Sequence, residues 1–371
     1  MYVKNLRLKD FRNYNSLNLS LNKNLNIIIG DNAQGKTNLL EAIYFSCFGK
    51  SFRTNKNKDL IQIDKEFNYV KLEVKLKHIE TKIEYRIHKN LKKQIKINNN
   101  SIKKLSDILG NINVVLFSPE DLELVKGSPG VRRNFINREL SNLYPKYCKK
   151  LIKYQKIRKQ RNNLLKKYKM SNDHDKFNNH LEIFSKQLID IGSYIILKRY
   201  KFLKRLNKIS KKIHRKLTNE NLKLDYVSNI DFNKNNLEEI KNKFKEKLNT
   251  NKKREKKLGY TLVGPHRDDF SMSINNRDIN KYGSQGQQRT TALSIKLSEI
   301  NLIKEEIGEY PILLLDDVFS ELDINRQKRL LENFNKTQTI ITSTHLDNIL
   351  KDKVNKKNLI KVRNGKILGG K

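Results

Sequence analysis

Residues Gly30-Asp31-Asn32-Ala33-Gln34-Gly35-Lys36-Thr37 spell GxxxxGK[ST], and their setting restricts the possible folds more than any other stretch of the chain. The apolar run Leu25 to Ile29 precedes them and reads as a buried strand, and Asn38 to Phe45 follows and reads as a helix. Phosphate binding needs that strand-loop-helix order. Glycines let the backbone close around phosphate oxygens, and the helix N-terminus turns its free N–H groups onto them. Lys36 would bridge the β- and γ-phosphates, and Thr37 would offer its hydroxyl to Mg²⁺. Residues 30 to 37 together with Asn38 are the expected nucleotide-binding set.

A second metal ligand should close a buried strand. Pro311-Ile312-Leu313-Leu314-Leu315-Asp316-Asp317 supplies it. Asp316 would hold Mg²⁺, directly or through water, and Asp317 at the strand tip would polarise the attacking water. An acidic cap after a core strand is the bland alternative, and on its own it would be preferred. Beside a P-loop the metal reading takes precedence, so ATP and Mg²⁺ are the expected ligands.

The flanks of the chain are mixed α/β. Tyr2 to Leu8, Leu17 to Leu21 and Leu25 to Ile29 read as strands, and Tyr69 to Lys77, Lys82 to His88 and Gln94 to Ile97 alternate like a meander. Thr290 to Ile307 reads as a helix, with buried strands at Ile312 to Leu315 and Thr339 to Thr342. Continuous apolar strands alternating with helices predict a covered, largely parallel sheet.

The middle third differs. From Ser141 to Lys257 there are 34 Lys+Arg against 11 Asp+Glu. Pro145 suits a first helical position, and Leu151, Tyr154, Arg158, Arg161, Leu165 and Tyr168 follow at three-to-four spacing. After the polar break Ser171 to Asp175, Leu181, Phe184, Leu188, Ile191, Ile195, Phe202, Leu206, Ile209, Ile213 and Leu217 mark a long amphipathic helix. Two such helices joined by a polar turn predict an antiparallel helical arm at 141–257, set between head segments 1–140 and 258–371.

Over the whole chain, 78 Lys+Arg against 39 Asp+Glu leave a formal charge of +39. Lysine outnumbers arginine 59 to 19 and asparagine and isoleucine are plentiful, the bias of AT-rich coding, so part of this basicity is compositional. The surplus still repels itself unless polyanions or salt neutralise it, which predicts affinity for nucleic acid. No apolar run approaches the roughly 18 residues of a membrane span, and the opening residues alternate polar and apolar, which argues against secretion and membrane insertion. Cys47 and Cys148 form no CxxC pair, so a disulfide framework and a cysteine zinc site are unsupported and the cytoplasm is the expected compartment.

Gly283-Ser284-Gln285-Gly286-Gln287-Gln288-Arg289 lies a helix's length before Asp316 and resembles the SGGQ signature of ABC-type ATPases. Ser284 and Gly286 at the start of the helix running to Ile307 would make a second anion-binding N-terminus. The resemblance implies that Ser284, Gly286 and Gln287 close over a γ-phosphate bound by another copy. It also implies a D-loop at Ser320-Glu321-Leu322-Asp323 and a switch histidine at His345.

More specifically, Phe11-Arg12-Asn13-Tyr14, Phe117-Ser118-Pro119-Glu120-Asp121-Leu122, Lys126-Gly127-Ser128-Pro129 with Arg132-Arg133, Gly264-Pro265-His266-Arg267-Asp268-Asp269, Tyr282 to Arg289 and Asp316-Asp317 with the D-loop resemble the RecF family of DNA replication and repair proteins. The match runs in order over nearly the whole chain; the arm matches mainly in length and around Lys159 to Leu165. One departure stands at Asn137, where the family pattern usually ends in Asp. The resemblance implies an α/β, SMC/Rad50-like ABC-type P-loop ATPase head, a mixed sheet with flanking helices, interrupted by a short helical arm. It further implies an ATP-dependent homodimer with nucleotide sandwiched between Lys36 of one copy and Ser284 of the other, and slow, DNA-stimulated hydrolysis that resets it. Such a dimer would bind single-stranded and gapped duplex DNA and, with RecO and RecR proteins, help load RecA at single-strand gaps or junctions.

Arg12, Arg132, Arg133, His266 and Arg267 stand evenly between structural ion pairs and contact with nucleotide, partner copy or DNA. Arg12 is the foremost phosphate candidate, because its segment feeds the P-loop sheet. Three rivals share the nucleotide motifs. An ABC transporter cassette would not carry a long basic helical insertion, and a chromosome-structuring head would carry a far longer coiled coil. A non-catalytic ATP-gated DNA clamp differs only in that hydrolysis is incidental.

Overall fold

The computed structural model describes residues 1–168, 174–232, 236–317, 327, 336–345 and 359–368. The chain forms two compact units, one from Met1–Asp121 with Leu293–Lys371 and one from Leu122–Ala292.

Among the described residues, the first unit is built on two six-stranded sheets. In one, the strands run Lys366–Leu368, Leu359–Arg363, Leu25–Ile29, Thr339–Ser343, Ile312–Asp316 and Val114–Phe117 from edge to edge. Every pairing is parallel except the terminal hairpin Leu359–Arg363 with Lys366–Leu368. Ile312–Asp316 and Thr339–Ser343 are buried at all five positions, so they carry the unbroken apolar runs of a sheet covered on both faces. The register sets Thr342 against Asp316 and Phe117 against Leu315. The other sheet is antiparallel, ordered Tyr14–Ser20, Tyr2–Phe11, Phe67–Lys75, Glu80–His88, Gln94–Ile97 and Asn100–Ser101, and contains the three expected meander strands with the N-terminal hairpin added at one side. Phe67–Lys75 alternates half-buried and buried residues along its length, the pattern of a strand with one face on a core. A hydrophobic cluster draws on both sheets and on the helix Lys36–Phe48, including Leu6, Ile28, Leu39, Phe45, Tyr85 and Leu314.

The second unit contains the predicted arm and extends past it on both sides. Helix Pro129–Leu143 and the three-stranded antiparallel sheet of Arg277–Asp278, Asp269–Ile274 and Leu222–Val227 belong to it. Pro145–Lys166 and His174–Thr218 are the two expected helices, the second 45 residues long. The arm also holds a third helix, Leu237–Leu258, packed on both of them. Its signals are local: the Asn236 side chain accepts from Glu238 N, Ile240, Phe244 and Leu248 are buried at four-residue spacing, and Gly259 ends it in the left-handed region at φ +78°. The buried pair Arg161–Glu255, with N···O 2.6 Å, joins the first helix to the third.

Among the described residues, no helix is long and apolar enough to cross a membrane.

Candidate nucleotide site

Gly30 to Gly35 leave the strand Leu25–Ile29 and deliver Lys36 into the first turn of a helix. Two positions require glycine. A Cβ on Gly30 would fall 2.3 Å from the Val362 carbonyl oxygen, and Gly35 sits at φ +114° with the Asn13 amide 2.6 Å from where its Cβ would be. Asn13 braces the loop, donating from Nδ2 to the Gln34 carbonyl at 2.9 Å and accepting on Oδ1 from Asn38 Nδ2 at 2.8 Å. The Tyr14 hydroxyl donates to the Gly35 carbonyl at 3.0 Å, and Asn364 N donates to Gln34 Oε1 at 2.7 Å. Asp31, Asn32 and Ala33 stand exposed at the loop tip.

Lys36 Nζ donates to the carbonyls of Gly30 and Asp31 at 2.7 and 2.9 Å, which curls the ammonium back over the loop. Burial holds its pKa below the ordinary lysine value, against the pull of Asp317, Asp316 and Asp31. A cation in such a partly dehydrated cradle is well placed to gain from an anionic phosphate.

The chain brings Thr37 and Asp316 together: Thr37 Oγ1 donates to Asp316 Oδ1 at 2.8 Å. Thr342 Oγ1 donates to the same oxygen at 2.8 Å from the neighbouring parallel strand. Burial raises the Asp316 pKa, and the two hydroxyl donors oppose the shift. The next residue, Asp317, adopts φ +51°, and its N–H donates to Thr342 Oγ1 at 3.0 Å. A hydroxyl and a buried carboxylate in contact are the hard oxygen donors that Mg²⁺ prefers, so this pair fits that ion. Thr342 was not singled out from sequence; its place, opposite Asp316 on a buried strand, depends on a register that the linear chain does not display.

Arg12 pairs with a residue of the P-loop helix. Its Nε and Nη2 donate to the two oxygens of the fully buried Glu41 at 2.9 and 2.7 Å, a bidentate pair on the P-loop helix. Arg53 Nη1 lies 3.6 Å from the same carboxylate and donates to Asn38 Oδ1 at 2.8 Å.

His345 follows the strand Thr339–Ser343, is exposed, and has Nδ1 2.9 Å from Thr344 Oγ1. The expected D-loop at Ser320 to Asp323 lies outside the described residues.

Ser284 and Gln287 belong to the second unit and cap the helix Gln285–Ile307 reciprocally: Gln287 N donates to Ser284 Oγ at 3.2 Å, and Ser284 N to Gln287 Oε1 at 3.0 Å. This S-x-x-Q capping box leaves Ser284, Gln285 and Gly286 exposed at the helix start.

The other weighed residues have structural partners. Arg132 holds Asp269 with two hydrogen bonds of 2.7 and 2.8 Å, and Arg133 Nη1 donates to the Asp268 carbonyl at 2.7 Å. His266 Nε2 meets the Thr261 carbonyl at 3.1 Å and must donate to it, so Nδ1 accepts from the Tyr154 hydroxyl at 2.8 Å. Burial keeps the ring neutral, lowering its pKa to about 3. The Arg267 guanidinium lies over the Tyr260 ring, 5.6 Å from its centre. Asn137 Oδ1 accepts from the Tyr147 hydroxyl at 2.7 Å and from Arg199 Nη2 at 2.9 Å, so a neutral amide serves at that position.

Known proteins resemble this chain along its length. Residues 2–367 match the family described as RecF/RecN/SMC N terminal domain. The DNA replication and repair protein RecF of Clostridium tetani (strain Massachusetts / E88) is 47% identical over 374 residues, covering 99% of this chain and all of that one. The solved structure of the recombination mediator protein RecF with ATP, of the RecFOR pathway, superposes with a TM-score of 0.91 at 37% identity, covering 99% of this chain and 97% of that one. A Pyrococcus furiosus Smc head domain bound to the C-terminal domain of ScpA shares the fold at TM-score 0.56 and 17% identity, covering 99% and 96%.

Proposed function

This chain belongs to the RecF family, and from that premise we propose that it is a cytoplasmic, ATP-dependent recombination mediator that dimerises on DNA at single-strand gaps or junctions. The observation that supports the reading is the Thr37–Asp316 contact beside Lys36, which brings together from opposite ends of the chain the two residues that would hold the nucleotide's metal. Lys36 and the loop N–H groups would hold the phosphates, and Thr37 and Asp316 would hold Mg²⁺, whose charge stabilises the phosphoryl oxygens during hydrolysis. Asp317, whose N–H is held by Thr342, would orient the attacking water, with His345, just past the neighbouring strand Thr339–Ser343, as the switch histidine. Hydrolysis would be slow, since the short Asp317 carboxylate reaches less far than a Glu, and DNA would stimulate it.

Ser284, Gly286 and Gln287 would meet the γ-phosphate bound by a second copy, so that ATP closes the dimer and hydrolysis opens it. The Lys-rich arm supplies phosphate contacts with little reading of base sequence. RecO and RecR proteins would be its partners in loading RecA.

Retention of a labelled gapped duplex with ATP, ADP and no nucleotide tests this over a salt series. Retention should require ATP, and log affinity should fall steeply and linearly with log salt. Equal retention in all three states, or affinity indifferent to salt, contradicts the proposal.

A further inference from the structure

The signature Gln287 has a third partner outside its own helix. Its Nε2 donates to Glu220 Oε1 at 2.7 Å, while its Oε1 accepts from Ser284 N at 3.0 Å. Only one orientation of the amide serves both, because the backbone N–H needs the oxygen and the carboxylate needs the NH₂. Glu220 therefore fixes which way the Gln287 amide faces, and through it the Ser284 backbone.

Glu220 is itself set by the end of the longest arm helix. His174–Thr218 stops at Asn219, whose φ of +59° and N–H to the Arg215 carbonyl at 3.0 Å make a left-handed cap. Glu220 N then donates to Thr218 Oγ1 at 3.3 Å, and the following segment is pinned by Asn221 N to Asn275 Oδ1 at 3.1 Å. The second Glu220 oxygen lies 3.7 Å from Nε2 of the buried His214, one turn back on the same helix. Both carboxylate oxygens thus face groups of the second unit, one on the arm and one on the signature.

We propose that Glu220 is a positioning residue for the signature motif, tying the C-terminal end of the long arm helix to Gln287 so that arm and signature move as one body. The inference rests on the ATP-dimer reading and deepens it: the arm becomes part of the apparatus that closes over the nucleotide, and any force on the arm is delivered to Ser284.

The test is ATP-driven dimerisation of the full chain, followed by sedimentation, for wild type, Glu220→Ala, Glu220→Gln, Gln287→Ala and the double variant Glu220→Ala/Gln287→Ala. Binding of a fluorescent ATP analogue to each monomer serves as a second readout. Glu220→Ala should weaken dimerisation roughly tenfold, the scale of one charge-assisted hydrogen bond, with monomer nucleotide affinity unchanged. Glu220→Gln retains an acceptor and should recover most of the loss, and the double variant should be no worse than Gln287→Ala alone. Dimerisation of Glu220→Ala at wild-type strength, additive losses in the double variant, or no recovery with Gln would overturn the proposal. Failure of the wild type to dimerise would instead remove the ATP-dimer reading beneath it.

Discussion

Thr37 and Asp316 stand 279 positions apart, and the Thr37 hydroxyl donates a 2.8 Å hydrogen bond to the Asp316 carboxylate. Both ends of that bond are set by parallel strands of one sheet, Leu25–Ile29 leading into the P-loop and Ile312–Asp316 ending at the carboxylate. Asp316→Asn preserves the volume and removes the charge that would attract a divalent cation. Nucleotide affinity with Mg²⁺ should fall roughly 10- to 100-fold, the scale on which metal sites respond to loss of a supporting group. Affinity in chelator should change little. Titration of nucleotide with and without Mg²⁺ checks this, and an equal loss in both conditions would count against a metal role for Asp316.

Arg12 and Glu41 offer a test of where an arginine acts. Removing Arg12 takes the bidentate partner from a carboxylate whose side chain is fully buried; Arg53 at 3.6 Å still faces it, so the loss stays below the roughly 3–5 kcal/mol of a buried pair broken from one side. Arg12→Met should therefore lower stability in denaturant unfolding, and adding Glu41→Gln should restore part of it. If Arg12→Met leaves stability unchanged and abolishes nucleotide binding, Arg12 is a phosphate ligand after all.

His266 predicts a pH dependence of stability with a definite sign. Its folded pKa is lowered to about 3 from 6.5. Between those values the unfolded chain binds a proton that the folded chain refuses, so the contribution is complete above pH 6.5 and is lost as pH falls towards 3. His266→Gln should flatten the stability profile across that window, by up to about 1.4 kcal/mol per pH unit. Denaturant midpoints of the two proteins at pH 7, 5.5 and 4.5 provide the measurement; parallel profiles would show that the histidine is charged in the fold.

The elements readable in the sequence are those whose cause is local. Leu25–Ile29, Ile312–Asp316 and Thr339–Ser343 are unbroken apolar runs, and Pro145 begins its helix where proline is tolerated. Gly30 to Thr37 carries its own chemistry in its spacing. Val114–Phe117 is equally apolar and buried, but at four residues it is too short to separate from a helix fragment by periodicity. The strands Leu222–Val227 and Asp269–Ile274 pair across the whole third arm helix, so neither announces its partner. Side-chain partners were hidden for the same reason. The sequence pattern Phe11 to Tyr14 marks Arg12 as notable, but only the folded chain sets it against Glu41, and only there does Gln287 meet Glu220.

Sedimentation velocity of wild type, Lys36→Ala and Ser284→Arg, each with ATP and Mg²⁺, tests the central claim most directly. If ATP closes a dimer around nucleotide held by Lys36 of one copy and Ser284 of the other, the wild type sediments as a dimer with ATP and as a monomer without it, and both variants remain monomeric. A wild type that stays monomeric with ATP, or variants that dimerise as readily as it does, would contradict the account.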